Sequence, residues 1–302
     1  MNRVLVTGAA GLIGRHALAP LAAAGFEVHA VSRATRSEPE GVVWHRADLL
    51  DDTARRSLIE AVRPSHLLHL AWVTEHGAYW RAPENLDWLA ASLALVRAFA
   101  EAGGKRVVAA GSCAEYDWRR RAETPFAERE TPCAPHTLYG QAKHALHQVL
   151  AAFAAETGLS HGWGRVFFVY GEGEPEQRLV PSVIRALLAG EPARCTDGRQ
   201  QRDFLDLRDA GAAFAALTAS TVEGPVNVAS GVAVSVADVA TRLGAIVGRP
   251  ELVALGALEA RPDDPPYLVA DVTRLTAEVG FRPRYDLAAG LADAVDWWRD
   301  AT

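Results

Sequence analysis

The chain is poor in cysteine: its 302 residues hold three, Cys113, Cys133 and Cys195. An odd number, without Cys-x-x-Cys or His-rich partner spacing, supports neither a disulfide framework nor a zinc knuckle. No metal is expected, and a reducing cytoplasm fits. The chain also lacks an excess of positive charge. A formal charge of −6 argues against a nucleic-acid binder, because affinity for a phosphate backbone rests on many clustered Lys and Arg. The one dense basic run, Arg119-Arg120-Arg121, is followed at once by Glu123, Glu128 and Glu130, which favours a solvated loop. No stretch approaches the roughly 18 uninterrupted apolar residues that a membrane helix needs, so no membrane partner is expected. The first residues, MNRVLVTGAAGLIG, lead into an apolar strand pattern and show no secretory signal. Apolar residues themselves are not scarce: 49% hydrophobic against 23% charged excludes intrinsic disorder.

What is present has a rhythm. From Arg3 to Phe167, short β-branched runs alternate with longer Ala- and Leu-rich periodic segments, the pattern of βαβ units around a parallel sheet. Strands are predicted near Val4–Val6, Glu27–Val31, Val42–Trp44, His66–Leu70, Arg106–Ala110 and His161–Phe167. Helices are predicted over Leu12–Ala24, Thr53–Val62, Glu84–Ala102 and Leu138–Thr157. After Phe167 the alternation breaks, with a helix near Pro181–Leu188, a polar segment Cys195–Arg202, a helix Asp209–Ala219 and a strand Val226–Val228. Helices near Val236–Val247, Val272–Val279 and Leu287–Trp298 complete the reading. The fold class is therefore α/β: a doubly wound parallel sheet over 1–167, with 203–228 returning to it, and a smaller C-terminal α/β domain from 168–202 and 229–302.

Thr7-Gly8-Ala9-Ala10-Gly11-Leu12-Ile13-Gly14 follows a predicted strand and opens a predicted helix. In that setting Gly8 permits a tight turn, Gly11 lets the backbone approach a pyrophosphate, and Gly14 allows close helix–strand packing. The helix start offers free N–H groups and a positive dipole end to the anion. A dinucleotide is the implied ligand, with Leu12, Ile13, Leu70 and Ala71 in the same cofactor set. The second strand ends Ala30-Val31-Ser32-Arg33, with no acid for ribose hydroxyls. Ser32, Arg33 and Arg36 suit a 2′-phosphate, since guanidinium matches phosphate in geometry and charge. NADP(H) is therefore expected over NAD(H), with NAD(H) possible; the alternative is that these are solvated loop residues. Asp48-Leu49, after the third strand, is placed at the adenine pocket.

Tyr139-Gly140-Gln141-Ala142-Lys143 sits at a predicted helix start, and a spacing of four puts the phenol and the amine on one face. A phenol near pKa ~10 is a poor base at neutral pH, and a neighbouring ammonium is expected to favour the phenolate. Ser112, at the end of the strand from Arg106, reaches the same substrate oxygen if strand and helix are neighbours. Ser112, Tyr139 and Lys143 are the catalytic candidates, and Tyr139 and Lys143 also belong to the cofactor set.

These residues, together with His69-Leu70-Ala71, Gly111-Ser112 four residues before Tyr116, Arg165-Val166-Phe167 with Tyr170-Gly171, Gln201-Arg202-Asp203-Phe204 and Arg261-Pro262-Asp263, carry a resemblance. Over nearly its whole length the chain resembles the extended short-chain dehydrogenase/reductase family of nucleotide-sugar epimerases, dehydratases and ketoreductases. The resemblance implies a Rossmann domain that binds NAD(P), a smaller domain that binds a nucleoside-diphosphate sugar, and a homodimer through the helices Glu84–Ala102 and Leu138–Thr157. It implies that Ser112, Tyr139 and Lys143 are catalytic and that Arg202 and Arg261 contact the substrate diphosphate. Each arginine is equally open to a structural ion-pair role.

Departures from the family pattern narrow the reaction. Dehydrating members place Asp-Glu directly after the catalytic Ser/Thr, where this chain has Cys113 and Ala114, so a 4,6-dehydratase is disfavoured. Cys113 stands one position before the cysteine of members that both epimerise and reduce; among the substrate-side residues it is read as small, buried and inert. Phe168 replaces a common asparagine, and with Trp72, Trp118 and Trp163 is a candidate for an apolar sugar pocket. The leading expectation is NADPH-dependent reduction of the 4-keto group of a nucleoside-diphosphate 4-keto-6-deoxyhexose. An epimerase that retains its dinucleotide is the alternative, and a non-catalytic dinucleotide-binding protein a minor one.

Overall fold

Short apolar runs become the strands of one parallel sheet. In chain order, β1 (Arg3–Thr7), α1 (Gly14–Ala23), β2 (Glu27–Ser32), β3 (Val42–Arg46), α2 (Asp52–Val62), β4 (His66–His69), α3 (Glu84–Glu101), β5 (Arg106–Ser112), α4 (Leu138–Thr157) and β6 (Ser160–Val166) follow the predicted rhythm. There follow β7 (Phe168–Tyr170), α5 (Leu179–Ala189), β8 (Ala193–Arg194), β9 (Gln201–Asp206), α6 (Leu207–Ala219) and β10 (Gly224–Val228). The chain closes with β11 (Ala233–Ser235), α7 (Val236–Val247), β12 (Val253–Ala254), β13 (Tyr267–Leu268) and α8 (Leu287–Ala301). This computed structural model describes residues 2–73, 75, 77–119 and 123–301; Arg120 and Arg121 of the basic run lie outside them.

The large sheet has the order β10-β6-β5-β4-β1-β2-β3, and every neighbouring pair is parallel. Because both faces are covered, its strands are near-continuous apolar runs whose alternate residues enter different cores. Val4 and Val6 join Leu18 of α1 and Phe214 of α6 on one side. Leu5 joins Leu95 of α3 and Leu146 of α4 on the other. The strand order reverses between β1 and β4, and in such sheets the crevice at the carboxyl ends of those strands takes the ligand.

After β6 the structure departs from expectation. The polar segment Cys195–Arg202 runs into β9, the central strand of a small second sheet. β9 pairs antiparallel with β11 and parallel with β7 and β13. Hydropathy hides this strand because Arg202, Asp203 and Asp206 are buried at 4%, 0% and 2% exposure. Buried charges must be paired, and these are: Asp203 accepts from Ser230 N and Oγ, Gly231 N and Ala270 N. The helix expected over Val272–Val279 is a single π turn, Arg274–Glu278. Residues 207–228 supply α6 and β10 to the layers of the large sheet, while β9 stays in the small one. Helices α5, α7 and α8 enclose a further core around Ile184, Leu243 and Leu291. Among the described residues no helix is long and apolar enough to cross a membrane.

Candidate active site

The glycine-rich turn is shaped by contacts that leave no room for side chains. Gly8 has φ +66°, and a Cβ there would lie 2.7 Å from Ala71 N; one on Gly14 would lie 2.2 Å from Gly8 O. Gly11 is exposed and its N–H donates to Gly8 O at 2.9 Å, which closes the turn. Thr7 Oγ1 stitches β1 to β4 by accepting from Leu70 N and Ala71 N at 3.2 Å, and it lies 2.7 Å from His69 Nδ1. Burial pushes His69 down to about 3, so the ring stays neutral in this joint. Beside the turn opens a cleft of about 490 Å³. Gly8, Gly11, Leu12, Ile13, Gly14, Leu70 and Ala71 line one part of it, and Ser112, Tyr139 and Lys143 another. Bare glycine backbone at a helix start suits a dinucleotide pyrophosphate.

The chemical end of the cleft is built by β5 and α4. Thr137 caps α4 by accepting from Gly140 N at 3.1 Å. Gly140 lets the first turn of α4 touch the turn after β5: a Cβ there would lie 2.5 Å from Ala114 O and 2.9 Å from Pro135 Cβ. Ser112 ends β5 and lines the cleft together with Tyr139. Burial pushes the phenol above its ordinary value, and the Ser112 hydroxyl draws it part of the way back. The expected lowering by Lys143 does not set this phenol. The Lys143 ammonium donates to Ala110 O at 2.9 Å and stands 3.8 Å from the Trp72 ring centroid. Burial pushes Lys143 down to about 7.

Several residues of the site were not anticipated. Glu115 follows Ser112 in a one-turn helix and is fully buried. Its carboxylate accepts from Ser112 N and Trp163 Nε1, both at 2.8 Å, and from Arg165 Nε at 3.1 Å. Burial alone would raise this carboxyl, but His144 and Arg165 hold it below its usual value. Ligand atoms of Glu115, His144 and His147 lie within 4.8 Å of one another, yet the Arg165 guanidinium on the same carboxylate opposes a cation there. Arg15 and Arg178 also line the cleft. Arg15 donates to the Glu172 carbonyl, and Arg178 pairs with Glu174 at 3.4 Å. Burial pushes Glu174 up to about 7. Arg165 stands in the Arg165-Val166-Phe167 motif, which carried no role for it; the sequence signal for Glu115 was its nearness to Ser112, and for Arg178 there was none.

Other predicted residues stand apart from this cleft. Ser32 ends β2, and Arg33 and Arg36 follow it. Ser32 Oγ accepts from Ala34 N, Arg33 O accepts from Arg46 Nε, and Arg36 lies 5.9 Å from the Trp44 ring. Asp48 is exposed and accepts from Leu50 N; Leu49 is a core residue, because its side chain turns inward towards α2. Cys113 is buried beside Tyr116, Phe126 and Phe167, and burial pushes its thiol up to about 12. Phe168 packs on Phe204, with the Arg202 guanidinium 5.4 Å from its ring. Arg202 is occupied by Asp264 and Pro265 O, both at 2.7 Å, and by Gln201 O at 2.9 Å. Arg261 is exposed, and its carbonyl accepts from Asp264 N. Of the tryptophans, Trp72 lines the cleft, Trp118 packs edge-on against Trp80, and Trp163 is fully buried core.

A glycine-cradled cleft at the reversal point of a parallel sheet, with a phenol, an amine and a hydroxyl at one end, defines a dinucleotide-dependent Rossmann enzyme. The chain belongs to the NAD dependent epimerase/dehydratase family, which it matches over residues 4–229, and is an enzyme of the extended short-chain dehydrogenase/reductase type. It is 26% identical to a UDP-glucose 4-epimerase of Rhizobium meliloti (strain 1021), over 98% of this chain and 97% of that protein. It is 28% identical to a dTDP-4-dehydro-6-deoxy-D-allose reductase of a Streptomyces species, over 98% and 96%. Among solved structures, MoeE5 in complex with UDP-glucuronic acid and NAD superimposes with a TM-score of 0.84 at 33% identity, covering 100% of both chains.

Proposed function

We propose that this enzyme reduces the 4-keto group of a nucleoside-diphosphate 4-keto-6-deoxyhexose. The observation that carries the reading is the convergence of Ser112, Tyr139 and Lys143 on one cleft, with Cys113 and Ala114 in place of an acid pair. A phenol raised by burial stays protonated at neutral pH and suits proton donation to an oxygen that gains negative charge. Ser112 polarises the same carbonyl by donating its hydroxyl hydrogen. Lys143 places its positive charge near that oxygen and hydrogen-bonds a ribose in the cleft. A reduced nicotinamide, when bound, supplies the hydride. Tyr139→Phe removes the proton donor, and turnover is expected to fall by a factor of about 10² to 10⁴ in an assay of NADPH consumption with keto sugars. Turnover within a factor of two of the wild type would assign the proton to another group.

NADP(H) is the cofactor expected on charge grounds, because Arg33, Arg36 and Arg46 gather at the ends of β2 and β3 without an acid at Ser32 or Arg33. Dissociation constants should be lower for NADPH than for NADH. The division of labour follows the sheets: 1–167 with 207–228 for the dinucleotide, and 168–206 with 229–302, including Arg202, Arg261 and Phe168, for the sugar nucleotide. Helices α3 and α4, with Leu86 and Val149 exposed at 57% and 48%, offer a face for a second copy. Sedimentation should then give a dimer at micromolar concentration.

A second reading is a 4-epimerase, supported by the UDP-glucose 4-epimerase relatives and using the same three side chains. Purified protein that carries a stoichiometric, non-exchanging dinucleotide would favour it; protein that binds and releases NADP(H) favours reduction.

A further inference from the structure

Lys143 enters the cleft on a seat made by a ring. The residue is 3% exposed, and besides the Ala110 carbonyl its ammonium faces the indole of Trp72 at 3.8 Å from the centroid. Trp72 is itself clamped: its Nε1 donates to Asn85 Oδ1 at 2.8 Å. Asn85 is wholly buried, and its amide nitrogen donates to Tyr79 O at 2.7 Å and Ala82 O at 2.8 Å. One acceptor and two donors are thereby used, so the side chain has a single satisfied orientation. The turn it holds carries Tyr79 and Trp80, whose rings pack edge-on against Tyr139 at 5.0 and 5.7 Å. Trp80 O also accepts from Tyr139 N at 3.2 Å.

An ammonium withdrawn from water loses hydration, and an indole face restores part of that stabilisation, most strongly where the contact is desolvated. We propose that Trp72, fixed by Asn85, is a positioning residue: its ring seats the Lys143 ammonium at the cleft, while Asn85 ties that seat to the turn that walls Tyr139. The proposal rests on the reading of Lys143 as the cation of the reaction. The titratable groups that face Lys143 are Glu115 after β5, His69 on β4 and Tyr139 on its own helix. Glu115 favours the ammonium. His69 and Tyr139 are uncharged near neutrality and leave the ring as the other local support.

The sequence offers a direct readout, because Lys105 and Lys143 are its two lysines. In protein carrying ¹³C-labelled lysine, two side-chain signals are expected, and Lys105→Arg assigns them. Trp72→Leu should lower the titration midpoint of Lys143 by about one pH unit. Trp72→Phe should restore most of that shift, and Asn85→Ser, which frees the indole, should produce part of it. In turnover, Trp72→Leu should reduce kcat about tenfold with KM for NADPH changed less than twofold, and the pH above which kcat declines should fall with the midpoint. A folded Trp72→Leu protein with an unmoved Lys143 midpoint overturns the proposal. Where Trp72→Leu does not fold, an unmoved midpoint in Asn85→Ser overturns it. The titration needs no substrate, so its outcome is independent of whether the reduction reading holds.

Discussion

Two buried cations, Lys143 and Arg202, are held in opposite ways. Lys143 rests on a carbonyl and a ring at the edge of an open cleft. Arg202 is enclosed by the Asp264 carboxylate and two carbonyls on the small sheet. A cation supported by neutral groups keeps its field for a ligand, whereas one paired with a carboxylate has most of that field cancelled. The end of the cleft near β5 is thus arranged for chemistry. Around Arg202 the side chains hold the Arg261–Pro265 loop on β9, and a diphosphate would have to compete with Asp264 for the guanidinium.

Four substitutions probe that contrast. The largest effect is expected for Gly14→Val, whose side chain would meet Gly8 O where even a Cβ stands 2.2 Å away. Dinucleotide binding should be abolished in a fluorescence titration, with a stability loss of about 1–3 kcal/mol from overpacking. Next is Asp264→Ala, which strips the carboxylate from Arg202. Breaking a fully buried pair costs about 3–5 kcal/mol, and since Asp264 is 35% exposed, about 2 kcal/mol is expected in denaturant unfolding. Arg261→Ala, at an exposed site, should leave stability within about 0.5 kcal/mol; a rise in substrate KM without that loss would give Arg261 the diphosphate role and leave Arg202 the structural one. An effect that depends on pH is expected for Glu174→Gln. The Glu174 carboxyl titrates at about 7 in the folded chain and at about 4.5 unfolded, so its contribution is full below pH 4.5 and is lost as pH rises through 7. Between pH 5 and 8 the wild type should lose about 2–3 kcal/mol relative to the glutamine variant. Equal slopes would mean that the Arg178 pairing offsets burial.

The same contrast explains what the sequence disclosed. Thr7–Gly14 and Tyr139-x-x-x-Lys143 are local: a turn and a helical repeat fix their geometry within a few residues, so spacing alone carries the information. The central sheet was legible for the same reason, as runs buried on both faces are apolar throughout. β9 was not, because Arg202, Asp203 and Asp206 are satisfied by partners up to 67 residues away, such as Ala270 for Asp203. Glu115, Asn85 and Arg178 share that property: each acts through groups brought together by the fold, and none lies in a motif with a period. Leu49 shows the converse, a residue next to a loop acid whose apolar side chain is claimed by the core.

Gly140 has a consequence for how this enzyme can change. The helix bearing the phenol lies flush against the turn bearing the hydroxyl, with only a hydrogen atom between the two backbones at this point. That boundary of the reaction chamber is rigid main chain, and any methyl group inserted there would prise the two reacting side chains apart. The aromatic turn of Tyr79 and Trp80 differs in kind: there the phenol is bounded by rings packed edge-on against it, so that wall is built from side chains and not from main chain.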